Sequence, residues 1–200
     1  DAAADRIRTS VPTTDLQTGL VDLADLSSIR SYAEEYLQED APIDVLINNA
    51  GVMACPFMTT KDGFEMQFGT NHLGHFLLTN LLMPAIRSGQ NPRIINLSSA
   101  GHTHSDVSLD DPNFETSEYN AWESYGRSKS ANIHFTREIV RRYGDVIRSF
   151  AVHPGVILTE LGRHLTPELM EEMVERVKAR PTSSAEAKET GGLPFKSMEA

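Results

Sequence analysis

Cysteine is nearly absent: Cys55 is the single one in 200 residues. One thiol cannot close an internal disulfide, so the chain fits a reducing compartment such as the cytoplasm. Positive charge is also scarce, with 18 Lys and Arg against 28 Asp and Glu and a formal net charge of −10. Proteins that hold a phosphate backbone concentrate Lys and Arg, so no nucleic-acid partner is expected. Long hydrophobic runs are missing too. The most apolar stretch, residues 76–86, is about half the length that spans a bilayer, and it contains Asn80 and Pro84. The opening residues, Asp1 to Arg6, hold neither an initiator Met nor a basic region followed by an apolar run, so they are no signal peptide. The chain reads as cut at its N-terminus, which leaves a membrane anchor outside it open. What is present, 40% apolar residues with 13 Gly and 10 Pro, suffices for one domain, taken as residues 1–200.

Along the chain, helical and extended patterns alternate. Residues 2–8 are helix-permissive, and Gly19 to Leu23 reads as a short buried strand. Ser27 is the expected N-cap of a helix over residues 29–39, in which Ile29, Tyr32, Ala33, Tyr36 and Leu37 recur at helical spacing. Further strands are expected at 43–47, 93–97 and 146–152, and further helices at 62–87, 121–143 and 166–178. A Thr/Ser/Glu/Gly-rich loop follows to Pro194. Strands that are continuous apolar runs, alternating with helices, predict an α/β fold. Its form is a doubly wound, Rossmann-like parallel sheet covered by helices on both faces and incomplete at both ends. Ligands of such sheets sit at the carboxyl ends of the strands.

Tyr125 and Lys129 stand four positions apart on a predicted helix, so their side chains share one face. A phenol with a pKa of about 10 is a poor acid–base catalyst at neutral pH. An ammonium about 5 Å away contributes roughly 3 kcal/mol at an effective dielectric of 20, on the order of two pKa units. In isolation such a pair is most often a solvated surface pair. The strand ends change its meaning: Asp22-Leu23, Asn48-Asn-Ala-Gly51, Asn96-Leu-Ser-Ser99 and His153-Pro-Gly-Val156 each put small or polar residues at a carboxyl edge.

In this order and spacing the sequence resembles the short-chain dehydrogenase/reductase family over nearly its full length. The long gap from Ser99 to Tyr125, together with Asn71-His-Leu-Gly-His-Phe and Ser128-Lys-Ser-Ala-Asn132, resembles its retinol-dehydrogenase-like branch. That resemblance implies a nicotinamide-dependent oxidoreductase acting on a small-molecule carbonyl or alcohol. Tyr125 would be the general acid or base, Lys129 would tune it and bind the nicotinamide ribose, Ser99 would stabilise the substrate oxygen, and Asn71 would hold a water leading from Lys129 to solvent. The cofactor-binding set would be Asp22 at the adenine edge, Asn48, Ala50 and Gly51 at the adenosine ribose, Tyr125 and Lys129, and Pro154, Gly155, Val156 and Thr159 near the carboxamide. The branch favours NADP(H), with NAD(H) the alternative. Family members also pair their two long helices, here 62–87 and 121–143, so a homo-oligomer is expected.

Two departures accompany the resemblance. No glycine-rich phosphate loop precedes Asp22, and the sequence ends near Phe195–Ala200 where a further helix and strand are expected, so the chain reads as a fragment that alone would be inactive. The contrasting reading is a truncated or non-catalytic binding protein of the same fold. His72, His75, His102 and His104 lack the i, i+4 spacing and Glu of a zincin helix, so no metal is expected. Asn96-Leu-Ser98 matches a glycosylation sequon but sits at a buried strand end, and no Gly-x-Ser-x-Gly marks a serine hydrolase.

Overall fold

Three of the apolar segments become strands. In a computed structural model that describes residues 2–155 and 159–179, β1 (Val45–Asn48), β2 (Arg93–Leu97) and β3 (Arg148–Val152) form a parallel sheet in the order β1-β2-β3. The register pairs Asn48 with Asn96 and Leu97 with Val152, which aligns the carboxyl ends of all three strands on one edge. Helices α1 (Ala2–Ser10) and α2 (Leu26–Gln38) precede the sheet. Between β1 and β2 run α3 (Met66–Phe68), a π-turn (Gly69–Gly74), α4 (His75–Leu81) and α5 (Met83–Arg87). The long α6 (Ala121–Tyr143) leads into β3, and α7 (Pro167–Ala179) follows it. This is the Rossmann-like parallel sheet with flanking helices that the alternation predicts. Among the described residues no helix is long and apolar enough to cross a membrane. Val156, the loop to Pro194 and residues 195–200 lie outside the described residues.

The core explains why these helices dock where they do. Ile29 and Ala33 of α2, Leu78, Leu82, Met83 and Ile86 of the α4–α5 segment, Ile94 of β2, and Phe135 and Ile139 of α6 form one buried cluster with Ile147. Each fully buried Ile or Leu contributes roughly 1.5–3 kcal/mol relative to exposure. Along the strands the alternate side chains point away from this cluster. Val45, Ile47, Phe150 and Val152 are between 37% and 56% exposed, so the helices of this cluster, α2, α4, α5 and α6, gather on one face of the sheet, in place of the expected cover on both.

Several expected boundaries move. Gly19 to Leu23 forms no strand: Leu20 is 96% exposed, and no described strand lies beside it to complete a ladder, without which extended backbone gains no pairing bonds. Asp25, not Ser27, caps α2, its carboxylate accepting from the backbone N–H of Ser27 and Ser28 at 2.8 and 3.3 Å. Ser27 donates its hydroxyl to the same carboxylate. The helix expected over 62–87 begins at Met66 and is interrupted by the π-turn and by Pro84, which fits only the first turn of α5. At Gly74 a β-carbon would fall 2.5 Å from the Leu23 carbonyl oxygen, so glycine is what lets this segment pack against the turn at Leu23 and Ala24.

Ile94 sits at 0% exposure in the middle of the cluster. Ile94→Ala should therefore destabilise the protein by about 2–5 kcal/mol, read as a lower urea midpoint at unchanged m-value. A change under about 0.5 kcal/mol would contradict this packing.

Candidate active site

The site is assembled where β2 ends and α6 begins its second turn. Asn120 caps α6 by accepting from Glu123 N–H at 2.9 Å, which fixes the rotation of the helix and turns Tyr125 and Lys129 toward the sheet. They are 4% and 5% exposed, so the pair is no surface decoration. The Lys129 ammonium lies 5.5 Å from the Tyr125 ring centroid and donates to the Leu97 carbonyl at 3.1 Å. Ser98 braces the same helix turn, donating its hydroxyl to the Lys129 carbonyl at 3.0 Å. Ser99 caps the short 3₁₀ turn Ala100–Thr103, accepting from Gly101 N–H at 3.1 Å, and its hydroxyl also hydrogen-bonds the Tyr125 side chain.

Burial sets the electrostatics. It pushes the Tyr125 phenol above its ordinary value, with the Ser99 hydrogen bond acting in the opposite direction. It draws the Lys129 ammonium down to about 8. The net direction at Tyr125 is therefore upward, although an ammonium 5.5 Å from the ring favours the phenolate. The loss of water outweighs the pairing, and the ammonium is engaged by Leu97.

Asn71 is fully buried in the π-turn, a helix irregularity that concentrates at functional sites. Its side chain is locked on three bonds: Nδ2 donates to the Val52 carbonyl at 2.9 Å and to Ser128 Oγ at 3.0 Å, while Oδ1 accepts from Val52 N–H at 2.8 Å. At Gly51 a β-carbon would fall 2.8 Å from Asn71 Oδ1 and 3.9 Å from Lys129 Nζ. Gly51, Asn71 and Lys129 therefore meet at one point, and Ser99 joins them through Tyr125.

The other expected positions divide. Asn48 is buried, and its side chain donates to Thr79 Oγ1 at 3.0 Å and to Asn96 Oδ1 at 2.8 Å, so that amide is tied into the sheet. Ala50 is exposed and Gly51 half-buried beside it. Asp22 is exposed and closes a turn by accepting from Ala24 N–H at 2.8 Å. Pro154 is exposed, Gly155 has a positive φ of 87°, and Thr159 caps the turn Glu160–Gly162. His153 accepts from Ala100 N–H at 3.3 Å, linking the end of β3 to the Ser99 turn. Of the histidines considered for a metal, His72 bonds Asn132, His75 the Asn71 carbonyl and His102 the Ser99 carbonyl.

Asn132 is the residue whose role sequence reasoning missed. Its amide donates to the carbonyls of both Asn71 and Leu97 at 3.1 Å. Its only sequence signal is its place one helical turn after Lys129, in Ser128-Lys-Ser-Ala-Asn132.

The family model for short chain dehydrogenases matches residues 2–170. The chain belongs to the short chain dehydrogenase family. Within that family it is 50% identical to human retinol dehydrogenase 13 over 165 residues, 82% of this chain and 50% of that protein. It is 53% identical to human retinol dehydrogenase 14 over 146 residues, 72% of this chain and 43% of that protein. It thus spans about half the length of the curated relatives it matches, and falls in the retinol-dehydrogenase-like branch. Among solved structures, an uncharacterized protein from Mycobacterium paratuberculosis superposes with a TM-score of 0.68 at 40% identity, covering 82% of this chain and 59% of that one.

The depressed Lys129 has a consequence for stability. Its folded value of about 8 lies below the ordinary 10.5, so between these the unfolded chain binds the extra proton and stability rises with pH. Tyr125, pushed up, works the other way only above its ordinary value of 10. Urea unfolding of the whole protein should show a rise from pH 8 toward 10 that Lys129→Met flattens; an identical slope in the variant would contradict the burial argument.

Proposed function

We propose that the whole protein transfers a hydride between a nicotinamide cofactor and a carbonyl or alcohol, with Tyr125 as general acid and base, and that residues 1–200 form one partial domain of it. The observation that carries the reading is the buried Tyr125–Lys129 pair, with Ser99 on the phenol, at the carboxyl edge of a parallel sheet. The residues present fit such a cofactor: Gly51 and Ala50 offer small groups at the turn after β1, where a larger side chain at Gly51 would strike Asn71, and Pro154-Gly155 does the same after β3. When bound, the nicotinamide gives or takes the hydride. Lys129 with Tyr125 would hold its ribose, Gly51 and Ala50 with the backbone of Asn48 the adenosine ribose, Asp22 the adenine edge, and Gly155, Val156 and Thr159 the carboxamide. NADP(H) is favoured through the branch, with NAD(H) the alternative.

The chain's own groups then handle the proton. A buried phenol held above its ordinary value is protonated at neutral pH and ready to give its proton to a carbonyl oxygen in reduction. Oxidation needs the phenolate, so its rate should climb with pH. Ser99 donates to the same oxygen and steadies its developing charge, a role whose loss costs on the order of 10²-fold in turnover. Asn71 shapes the floor beside Lys129.

Met53, Ala54, Trp122, Leu165, Leu169 and Met173 pack around Tyr125 and make that side of the site apolar. An apolar aldehyde or alcohol suits it, and the names of the relatives put retinoids first in a substrate panel. The single cysteine is a free, buried thiol, which supports a reducing compartment and the cytoplasm as its place.

In the whole protein, Tyr125→Phe should abolish turnover on such a panel while leaving cofactor affinity nearly unchanged, because the ring keeps its packing and only the transferable proton is lost. Lys129→Ala should lower both turnover and cofactor affinity and move the oxidation profile to higher pH. Near-normal turnover in Tyr125→Phe would refute the assignment, and absence of cofactor binding by the wild type would favour a non-catalytic protein of this fold.

The homo-oligomer belongs to the same proposal. Phe76 of α4 and Val140 of α6 are 45% and 47% exposed, and Phe76 continues a chain of ring contacts through His72 and Phe135. Light scattering at micromolar concentration should give a dimer or larger; a monodisperse monomer would refute it.

A further inference from the structure

The buried amide of Asn132 sits where three parts of the site meet. Its Nδ2 donates to the carbonyl oxygens of Asn71 and Leu97, both at 3.1 Å, and Leu97 O is also the acceptor of Lys129 Nζ at 3.1 Å. Two carbonyl oxygens can only accept, so the NH₂ end of the amide must face them. Oδ1 must then face His72 Nδ1, 3.1 Å away, and that nitrogen must carry a proton. Burial lowers the His72 value, so at neutral pH the ring is uncharged and holds its one proton on Nδ1. Asn132 itself is 2% exposed and lies one helical turn beyond Lys129. His72 comes from the π-turn, one residue after Asn71.

We propose that Asn132, oriented by His72, is a positioning residue that sets where the Lys129 ammonium rests between Leu97 and Tyr125. Leu97 O divides its accepting capacity between an amide and an ammonium, and the amide's second N–H fixes the distance from Leu97 to Asn71. With the amide removed, the ammonium is the only side-chain donor to Leu97 O and is drawn toward it, away from the phenol. Tyr125 then ionises at higher pH. This rests on the function proposed above.

The test uses the whole protein with its nicotinamide cofactor and an alcohol it oxidises, and reads the pH profile of kcat/KM with the melting temperature of each variant. Asn132→Leu, which keeps volume and cannot donate, should lower kcat on the order of tenfold or more and shift the rising limb to higher pH. His72→Phe keeps the ring among Phe68, Phe76 and Phe135 but leaves Asn132 Oδ1 without its donor, so the amide is held less tightly and the limb should shift the same way. His72→Gln restores a donor and should return it toward wild type. A merely structural role would lower the amount of folded protein and leave the limb in place. Unmoved limbs in Asn132→Leu and His72→Phe overturn the proposal, and if Asn132→Leu does not fold, the His72 pair decides alone. Tyr125→Phe is run beside them: if it retains turnover, the functional reading has failed, whereas an inactive Tyr125→Phe with unmoved limbs refutes only the positioning role.

Discussion

A ladder of buried side-chain hydrogen bonds crosses the sheet and holds the site in register. It begins at Thr79 of α4, whose hydroxyl accepts from Asn48 of β1; Asn48 also donates to Asn96 of β2, and Asn96 donates to Thr136 of α6 at 2.9 Å. Thr136 closes onto the Asn132 carbonyl at 2.8 Å, and the Asn132 amide reaches the Asn71 carbonyl. Each rung lies where water does not compete, so breaking one leaves a buried donor or acceptor unmade at a cost of about 1–3 kcal/mol. Hydrophobic packing brings α4, the sheet and α6 together within a range of sliding positions. The ladder selects one, because amide donors and acceptors meet only at one offset.

That offset decides what the titrating groups experience. Sliding α6 by a turn would carry Lys129 away from Leu97 and Tyr125 away from Ser99. In the register the ladder selects, both titrating groups are stripped of water and each is pushed toward its neutral form, the lysine down to about 8 and the phenol upward. The phenol therefore keeps its proton at neutral pH beside an ammonium that is easily neutralised, the state from which the proposed proton transfer to a carbonyl oxygen would start.

A second polar cluster governs the segment between Ser99 and α6. Glu65 is buried and caps α3, Tyr119 donates to the Cys55 carbonyl at 2.9 Å, and Gln67 donates to Tyr119 and to the Ala121 carbonyl at 2.9 and 2.8 Å. Arg127 stacks 3.9 Å over Phe114 while bonding the Asp111 carbonyl. These contacts fasten the 104–120 excursion to the start of α6, and so hold Trp122 edge-on to the Tyr125 ring.

Local pattern alone determined the β2 strand at Arg93–Leu97 and the α6 helix at Ala121–Tyr143, because each is a continuous apolar or amphipathic run bounded by its own stop signals. The spacing of Tyr125 and Lys129 and the small polar strand ends likewise carried the family and pointed to the candidate site. The tertiary structure decided what depends on partners distant in the chain. Residues 19–23 read as a strand, but a strand exists only beside another, and Asp25 displaced Ser27 as the cap in a setting where Lys61, 36 residues away, pairs with that carboxylate. The π-turn around Asn71, the burial that shifts Lys129, and the meeting of Asn132 with His72 and Leu97 likewise arise from residues tens of positions apart. Sequence periodicity reports which face of an element is apolar; only the packed fold fixes the sliding and rotation that bring particular polar atoms to within 3 Å of each other.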